Sequence, residues 1–278
     1  ECAEILSGIG LTSVPCWIRP IKTLSNGQRA RAEAALAMTK SEMVIIDEWT
    51  SVVDRTVAKV MSHCVQKFAR RNKKKIVFLS CHYDVVEWLN PDWIVDCNKQ
   101  EYTDRRLLHP FEREKLRFDI REVGRATWNF FSKYHYLSEK LPGGEIRTFG
   151  LFNNKDQIGF VCFANYVPHT KGKKIFHSNR LVIHPDYAGL GLGIKFVNAC
   201  SFEMKKNGYR VMAKFSSIPM LKSRIKDPLW KLLDCKTQIK QVVPGGNMLR
   251  KSGFREKVKF YSFEFIGKPN SQLKAIQE

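Results

Sequence analysis

Two short apolar runs in the first half of the chain have the pattern of strands in a parallel sheet. One covers residues 43–46 and ends in Asp47 and Glu48, and the other covers residues 76–80. Continuous apolar positions, rather than alternating ones, indicate strands that are buried on both faces. An alanine-rich stretch before the first run begins at Ser25, a residue type that is favoured as a helix N-cap. This pattern predicts an α/β fold for the first half.

The second half has a different pattern, in which strand-like and helix-like stretches follow one another. Apolar residues recur at helical spacing from Arg121 to Tyr134, and two strand-like runs then form a predicted hairpin across residues 153–156. The later predicted elements are a strand over 174–185, a helix over 194–206, a strand over 209–216, a helix over 219–233 broken by Pro228, and a strand over 253–267. The change of pattern predicts two domains, over residues 1–110 and 111–278.

The composition is that of an ordinary globular protein. The 278 residues contain no apolar run of about 18 residues, the length that a membrane helix needs. Eight cysteines are scattered singly, which favours buried thiols in a reducing compartment over a zinc ribbon. We therefore expect a cytoplasmic protein without a membrane partner. The first residue is Glu rather than Met, so we also expect a chain whose start is missing.

Positive charge is concentrated in the second half. The net charge is +20, of which +3 lies in residues 1–110 and +17 in residues 111–278. Such a field attracts polyanions, so nucleic acid, DNA or RNA, is the expected partner. A solvated basic surface without a special partner is the alternative. The basic residues that we assign to nucleic acid are Lys171, Lys173, Lys174, Arg180, Lys205 and Lys206.

Four motifs in the first half occur in the order and spacing of a known ATPase family. They are Ser25-Asn26-Gly27-Gln28, Asp47-Glu48, Asp54 and His82. They resemble the signature motif, the Walker B and catalytic carboxylates, the D-loop aspartate and the switch histidine of ABC-type ATPases. Trp49 stands where that family usually has proline. The resemblance implies a P-loop ATPase portion that uses ATP and Mg²⁺, with Glu48 and His82 catalytic and Asp47 at the metal. It implies nucleotide contacts at Ser25, Gly27, Gln28, Asp47 and Asp54.

The P-loop of that family is missing from the sequence. No G-x-x-x-x-G-K-[ST] motif occurs, and without its lysine and amides nothing holds the β- and γ-phosphates within one chain. Either the motif precedes residue 1 in the natural protein or this half is degenerate, and we favour the first. The chain then supplies one side of an ATP site, and a dimer partner supplies the P-loop in trans.

Three glycines at alternate positions, Gly189, Gly191 and Gly193, stand between a predicted strand and a predicted helix. Glycine lets backbone N–H groups approach a phosphate closely, and the start of a helix adds positive potential. A plain turn is the structural alternative. With the helix that follows, this spacing favours the binding of a pyrophosphate.

The order of elements and the run from Ala188 to Gly193 resemble the GNAT acyltransferase family. In that family the turn follows the pattern Arg/Gln-x-x-Gly-x-Gly/Ala, and Ala188 stands at the position of the Arg or Gln. The resemblance implies an α+β domain with a mixed, mainly antiparallel sheet and acetyl-CoA, or another acyl-CoA, as cofactor. It implies cofactor contacts at Val182, Ile183, Gly189, Gly191 and Gly193.

Further stretches are similar to one branch of that family. They are YHYLSEKLPGG at 134–144, the glycine run, a predicted helix that contains Trp230, and YSFEFIG at 261–267. This branch is found with such ATPases in microbes and phages and is similar to the Mom-type modifiers of DNA adenine. The resemblance implies base modification in a prokaryotic cell or a phage-infected host.

Acyl transfer to an amine needs a base for the amine and an acid for the leaving thiolate, roles that suit His and Tyr. We assign these roles to His135, Tyr136 and His177. Tyr134, His184, Ser216 and Ser217 are weaker candidates, because core or turn roles account for them equally well.

Three functions from different classes remain open. The first is an acyl-CoA-dependent or Mom-like modifier of a nucleic-acid base, coupled to an ATPase. The second is a small-molecule or protein N-acetyltransferase with a basic surface. The third is an ATPase-linked DNA-binding module that has lost catalysis.

Overall fold

The computed structural model describes residues 2–12, 14–106, 117–135, 140–166, 172, 174–242 and 254–267. The chain divides into two compact units. Of the described residues, the first unit contains those up to 106, Arg117 and Ile183–Leu192, and the second contains Phe118–Val182 and those from 193 to 267. The loop with the three glycines therefore lies largely in the first unit. The predicted domains, 1–110 and 111–278, place this loop in the second domain instead.

The first unit contains the predicted parallel strands and the predicted alanine-rich helix. Its helices are α1 (Cys2–Gly8), α2 (Val14–Trp17), α3 (Asn26–Lys40), α4 (Arg55–Arg71) and α5 (Val85–Leu89). Its strands are β1 (Met43–Ile46), β2 (Lys75–Phe78), β3 (Trp93–Asp96) and β4 (Glu101–Asp104). Strands β1 and β2 are parallel, and β3 and β4 form a separate antiparallel pair.

Strands β1 and β2 are buried on one face only. Val44 packs into a core with apolar residues of α3, α4 and α5, including Met38 and Met61. Ile45, on the opposite face of β1, is 64% exposed. The prediction that both faces are buried is wrong, because no element of the described residues covers that face.

Trp49 joins the ends of the two parallel strands. Its backbone N–H donates to the carbonyl of Leu79 (2.9 Å), and its own carbonyl accepts from the Ser80 hydroxyl (3.0 Å). Its buried indole Nε1 donates to Ser62 Oγ on α4 (2.8 Å). A buried tryptophan indole needs such a hydrogen-bond partner. Proline has neither an indole nor a backbone N–H. The departure from the ATPase pattern at this position therefore has a structural reason.

The second unit is built on a seven-stranded sheet. Its strands are β5 (Asp119–Glu122), β6 (Ile146–Asn153), β7 (Asp156–Ala164), β8 (Ile175–Ile183), β9 (Arg210–Phe215), β10 (Trp230–Val242) and β11 (Phe254–Phe265). Its helices are α6 (Trp128–Phe131), α7 (Leu192–Lys206) and α8 (Ile218–Ile225). The strand order is β10-β11-β9-β8-β7-β6-β5, with β8 and β9 parallel and the β5–β6, β6–β7, β9–β11 and β10–β11 pairs antiparallel. This agrees with the mixed, mainly antiparallel sheet expected for the second half.

Two predicted helical stretches differ from the structure. The helix expected from Arg121 onward begins only at Trp128, because the residues before it pair with β6 as strand β5. Trp230 was expected in a helix but begins β10. Its indole donates to Asn198 Oδ1 on α7 (2.8 Å), and the guanidinium of Arg224 lies over its ring. Asn198 lies 32 residues before Trp230, so helical spacing in the sequence does not indicate this contact.

Among the described residues, no helix combines the length and the apolar character that a bilayer crossing requires.

Candidate functional site

The parallel strands β8 and β9 pair over only part of their length. Their ladder runs from Ile175 with Arg210 to Ser178 with Ala213, whereas β8 continues to Ile183 and β9 to Phe215. Beyond Ser178 the two strands part, and we call this place the fork. Backbone N–H and C=O groups that leave a sheet ladder need other partners, so a fork inside a sheet is suited to binding an extended amide-bearing ligand.

His177 lies in the last paired segment before the fork. Its ring is 5.7 Å from the ring of Tyr166, centroid to centroid, and its residue pairs with Met212 of β9. Burial, with a smaller contribution from the nearby Lys214, lowers the pKa of His177 below its ordinary 6.5. The imidazole is therefore neutral at pH 7 and able to accept a proton.

Tyr166 faces the same place and was not among the sequence candidates. Its hydroxyl accepts a hydrogen bond from the amide of Asn179, the first residue of β8 beyond the fork. Burial raises the pKa of Tyr166 above its ordinary value, so the phenol is protonated at neutral pH and can donate. Only its position two residues after the end of β7 could have drawn attention to it in the sequence.

His135 lies in a more apolar environment. Its ring meets the buried indole of Trp128 edge to face at 5.6 Å. Burial lowers the pKa of His135 to about 4, and the positive charge of Arg180 adds to the effect. A histidine with so low a pKa is a weak base, which separates it from His177. The third predicted catalytic residue, Tyr136, lies outside the described residues.

Arg180 is a partly buried cation on β8, beyond the fork. Its Nη2 donates to the carbonyl of Lys140 (3.2 Å), while its buried Nε has no hydrogen-bond partner. Within the part of the chain that the structure describes, no carboxylate forms an ion pair with it. A buried donor without a hydrogen-bond partner lowers the stability of the folded protein, so this guanidinium is suited to binding an anionic group.

The glycine loop, residues 184–191, packs within the first unit. Gly189 has φ +92°, and a Cβ there would lie 2.8 Å from Cys64 Sγ and against the Cα of Gly10. Gly191 has φ +74°, and a Cβ there would meet nothing within 4 Å. Gly193 lies in the first turn of α7. Close packing thus accounts for glycine at position 189, whereas Gly191 remains open to a ligand.

Two neighbours of these glycines have structural roles. Ala188 is buried, and its carbonyl is 3.8 Å from Cys64 Sγ, so the long side chain that the acyltransferase pattern has here would meet the first unit. His184 caps the turn that follows, with its Nδ1 accepting from the N–H of Asp186 (3.4 Å). This agrees with a turn role for His184.

In the first unit, a cleft of about 390 Å³ lies between α3 and residues 45–53. Asp47 and Glu48 line it and are exposed, and Asp47 accepts a hydrogen bond from the backbone N–H of Glu48 (2.9 Å). The bonds of Trp49 to Leu79 and Ser80 bring this segment beside the one that leads to the half-buried His82.

The other predicted ATP-site residues act in helix caps. Ser25 and Gln28 form a reciprocal capping box at the start of α3, and Asp54 accepts from the N–H groups of Thr56 and Val57 at the start of α4. Gly27 lies in the first turn of α3. In the described residues, no group of three His, Cys, Asp or Glu side chains is arranged to hold a metal. The assignment of Asp47 to Mg²⁺ stays a prediction.

The basic residues predicted at a nucleic-acid surface have unequal environments. Lys174 pairs with Glu145 (3.0 Å), and Lys205 donates to the carbonyl of Ile266 (3.0 Å). Lys206 is exposed. Lys171 and Lys173 lie outside the described residues.

Comparison with known proteins gives likenesses in structure alone. No protein-family model and no curated protein matches the sequence. The structure is similar to a Bacillus subtilis acetyltransferase in complex with CoA, with a TM-score of 0.36 and 11% identity over 54% of this chain and 98% of that one. It is similar to Arabidopsis thaliana NAA60 in complex with acetyl-CoA, with a TM-score of 0.38 and 11% identity over 54% and 98%. It is also similar to IAA acetyltransferase from Bacillus cereus, with a TM-score of 0.34 and 11% identity over 54% and 99%. All three TM-scores are below 0.5, so the function proposed below depends on the strand order and side chains of the chain itself.

Alanine at two of the glycines should separate packing from backbone strain. Gly191→Ala should cost about 1–2 kcal/mol, because only the left-handed backbone disfavours it. Gly189→Ala should cost about 1–3 kcal/mol more, because its methyl group also meets Gly10 and Cys64. Urea denaturation of the full chain measures both. Equal losses for the two variants would show that position 189 is not packed as described.

Proposed function

We propose that the second unit is an acyl-CoA-dependent N-acyltransferase of the GNAT type. The fork carries the proposal: in a mainly antiparallel sheet, one parallel pair separates after four paired residues. The strand that leaves the pair, β8, is followed by the glycine loop and then by the 15-residue helix α7. This order combines an open strand edge with the start of a helix, which suits a long ligand that carries amides and a pyrophosphate.

The residues present fit such a ligand. The β8 backbone at Val182 and Ile183, beyond the fork, can pair with its amide groups. The N–H groups of Gly191 and Gly193 can bind its pyrophosphate, because Gly191 is open and Gly193 is in the first turn of α7. Acyl-CoA, when bound, supplies an activated acyl group and a thiolate leaving group.

The side chains at the fork can move the two protons of the transfer. His177 takes a proton from the acceptor amine, and the amine nitrogen becomes nucleophilic. The amine nitrogen then forms a bond to the acyl carbon as the carbon–sulfur bond breaks. The hydroxyl of Tyr166 donates a proton to the departing sulfur. His177, the neutral base, and Tyr166, the protonated acid, have pKa values displaced in opposite directions by burial.

His177→Gln should lower kcat by about 10²–10⁴-fold, the range typical for loss of a general base. In the wild type, kcat/KM should fall only below pH 6.5, because the base is lost when His177 is protonated and burial lowers its pKa. The measurement is CoA release from acetyl-CoA over a pH series, with a panel of amines and amine-bearing oligonucleotides. His135→Gln is the matched control and should keep this profile. A limb near pH 4 that His135→Gln abolishes would give the base role to His135 instead.

For the acceptor, we propose an amine of a nucleic acid, as in Mom-like base modification. The net charge of +20 supports this choice, because a basic protein attracts polyanions. Arg180, beyond the fork, supports it because its buried Nε has no hydrogen-bond partner in the described residues and suits a phosphate. A small-molecule or protein amine is the alternative acceptor and fits the same fork.

Arg180→Gln should raise KM about tenfold for phosphorylated acceptors and leave neutral amines unchanged, because a charge-assisted bond to phosphate is lost. The measurement compares one amine with and without a phosphate group. Arg121→Gln is the control, since Arg121 is exposed and already paired with Asp119. Equal effects of Arg180→Gln on both acceptors would remove its assigned role. Activity confined to neutral amines would favour the alternative acceptor.

For the first unit, we propose one side of an ABC-type ATP site that a partner's P-loop completes. Its support is that Asp47 and Glu48 line a cleft beside the segment that carries His82. Ser25, Gly27 and Gln28 lie at the start of α3, where the capping box uses the N–H groups of Ser25 and Gln28, and the N–H of Gly27 suits a phosphate of nucleotide bound by the partner.

The chain by itself should not bind Mg²⁺-ATP at micromolar concentration, because it contains no P-loop motif. Isothermal calorimetry of the 278-residue chain measures this directly, with acetyl-CoA as a positive control for a folded protein. Micromolar ATP binding by the chain alone would contradict a site completed in trans.

A further inference from the structure

The middle of α3 places a buried guanidinium against the glycine loop. Arg31 is 1% exposed, although arginine is among the residues that are almost never fully buried without a partner. Its Nη1 donates to the carbonyl of Pro185 (3.1 Å), and its Nη2 donates to the carbonyl of Asp186 (3.3 Å). The guanidinium thus donates to the carbonyls of two consecutive residues of the loop.

In the part of the chain that the structure describes, the hydrogen bonds of this guanidinium go to backbone carbonyls, not to a carboxylate. Within the described chain, Arg31 has no ion pair with a carboxylate, and burial lowers its pKa. Burial also raises the pKa of the neighbouring Cys64 to about 11, so its thiol is neutral at pH 7 and is no counter-ion. The carbonyls of Pro185 and Asp186 therefore offset part of the desolvation of the guanidinium, and the charges of Asp186 and Asp54 offset more of it. The buried Nε of Arg31 has no hydrogen-bond partner among the described residues.

The loop has little freedom to settle elsewhere on the first unit. Gly10 and Gly189 meet so closely that a Cβ on either would contact the other's backbone or that of Ala188. The two hydrogen bonds from Arg31 are made three and four residues before Gly189. The loop is therefore fixed at two nearby points, and it continues through Gly191 into the first turn of α7.

We propose that Arg31 is a positioning residue for acyl-CoA binding: it holds the glycine loop in the conformation that presents the N–H groups of Gly191 and Gly193. The inference rests on the proposed acyltransferase function. It adds a residue of α3 to a site otherwise composed of β8, the loop and α7.

The donor geometry explains why arginine is needed. A guanidinium presents several N–H groups in a fixed plane and can reach two carbonyls together, whereas a lysine ammonium is a point donor on a flexible stem. Arg31→Lys keeps the charge and much of the volume but loses the pair of hydrogen bonds to the loop carbonyls. It is therefore a sharper test than truncation, which would leave a large cavity in the first unit.

The experiment compares Arg31→Lys with Arg29→Lys, a matched exchange at an exposed position of the same helix. Hydrogen exchange of the amides in residues 186–193 reports the loop without any ligand, and calorimetry with acetyl-CoA reports binding. For Arg31→Lys we expect exchange in the loop to be at least about tenfold faster and acetyl-CoA to bind about tenfold more weakly. Arg29→Lys should match the wild type in both measurements.

The two measurements separate the inference from the function on which it rests. Unchanged loop exchange and unchanged acetyl-CoA affinity in Arg31→Lys would overturn the role of Arg31. Weaker binding with unchanged loop exchange would also overturn it, because the effect would then not pass through the loop. A wild type that does not bind acetyl-CoA would overturn the proposed function, and loop exchange would still decide whether Arg31 holds the loop.

Discussion

A charged guanidinium can stay inside a protein only where other groups replace the water that it loses, and this constraint governs the loop between β8 and α7. Two consecutive carbonyls of the loop provide that replacement for Arg31. Their position in turn brings Ala188 and Gly189 against Gly10 and Cys64, where a larger side chain has no room. The small residues at positions 188 and 189 are thus a consequence of packing.

The sheet of the second unit imposes a second constraint. Strand β9 pairs with β11 on one edge, through residues up to Phe215, and with β8 on the other edge only as far as Ala213. The last part of β8 is therefore free of β9, and the side chains around it, from His177 to Arg180, lie where the sheet opens. Burial near this opening lowers the pKa of His177 and raises the pKa of Tyr166, the directions that the proposed base and acid roles require.

In the first unit, Trp49 shows how a departure from a family pattern can be resolved by packing. Its ring fills the core beside Phe78, and its N–H groups bond to α4 and to the segment after β2. The ends of the two parallel strands are thereby held together, and the acidic residues that precede Trp49 remain exposed along the cleft. Exposed Ile45 on the other face of β1 shows that the same strand is covered on one side only.

Local pattern was sufficient for much of this protein. Apolar runs predicted β1, β2 and the β6–β7 hairpin, Ser25 predicted the start of α3, and the glycine run predicted the turn before α7, because these features depend on neighbours in sequence. The sequence also made His177 a candidate base, a role that stays a prediction. Only the tertiary structure showed that Arg31 contacts Pro185, 154 residues away, and that Tyr166 contacts Asn179. It also showed that β5 is a strand and that Trp230 begins β10. Each of these depends on a partner distant in sequence, and residue spacing contains no information on which distant residue a side chain will meet.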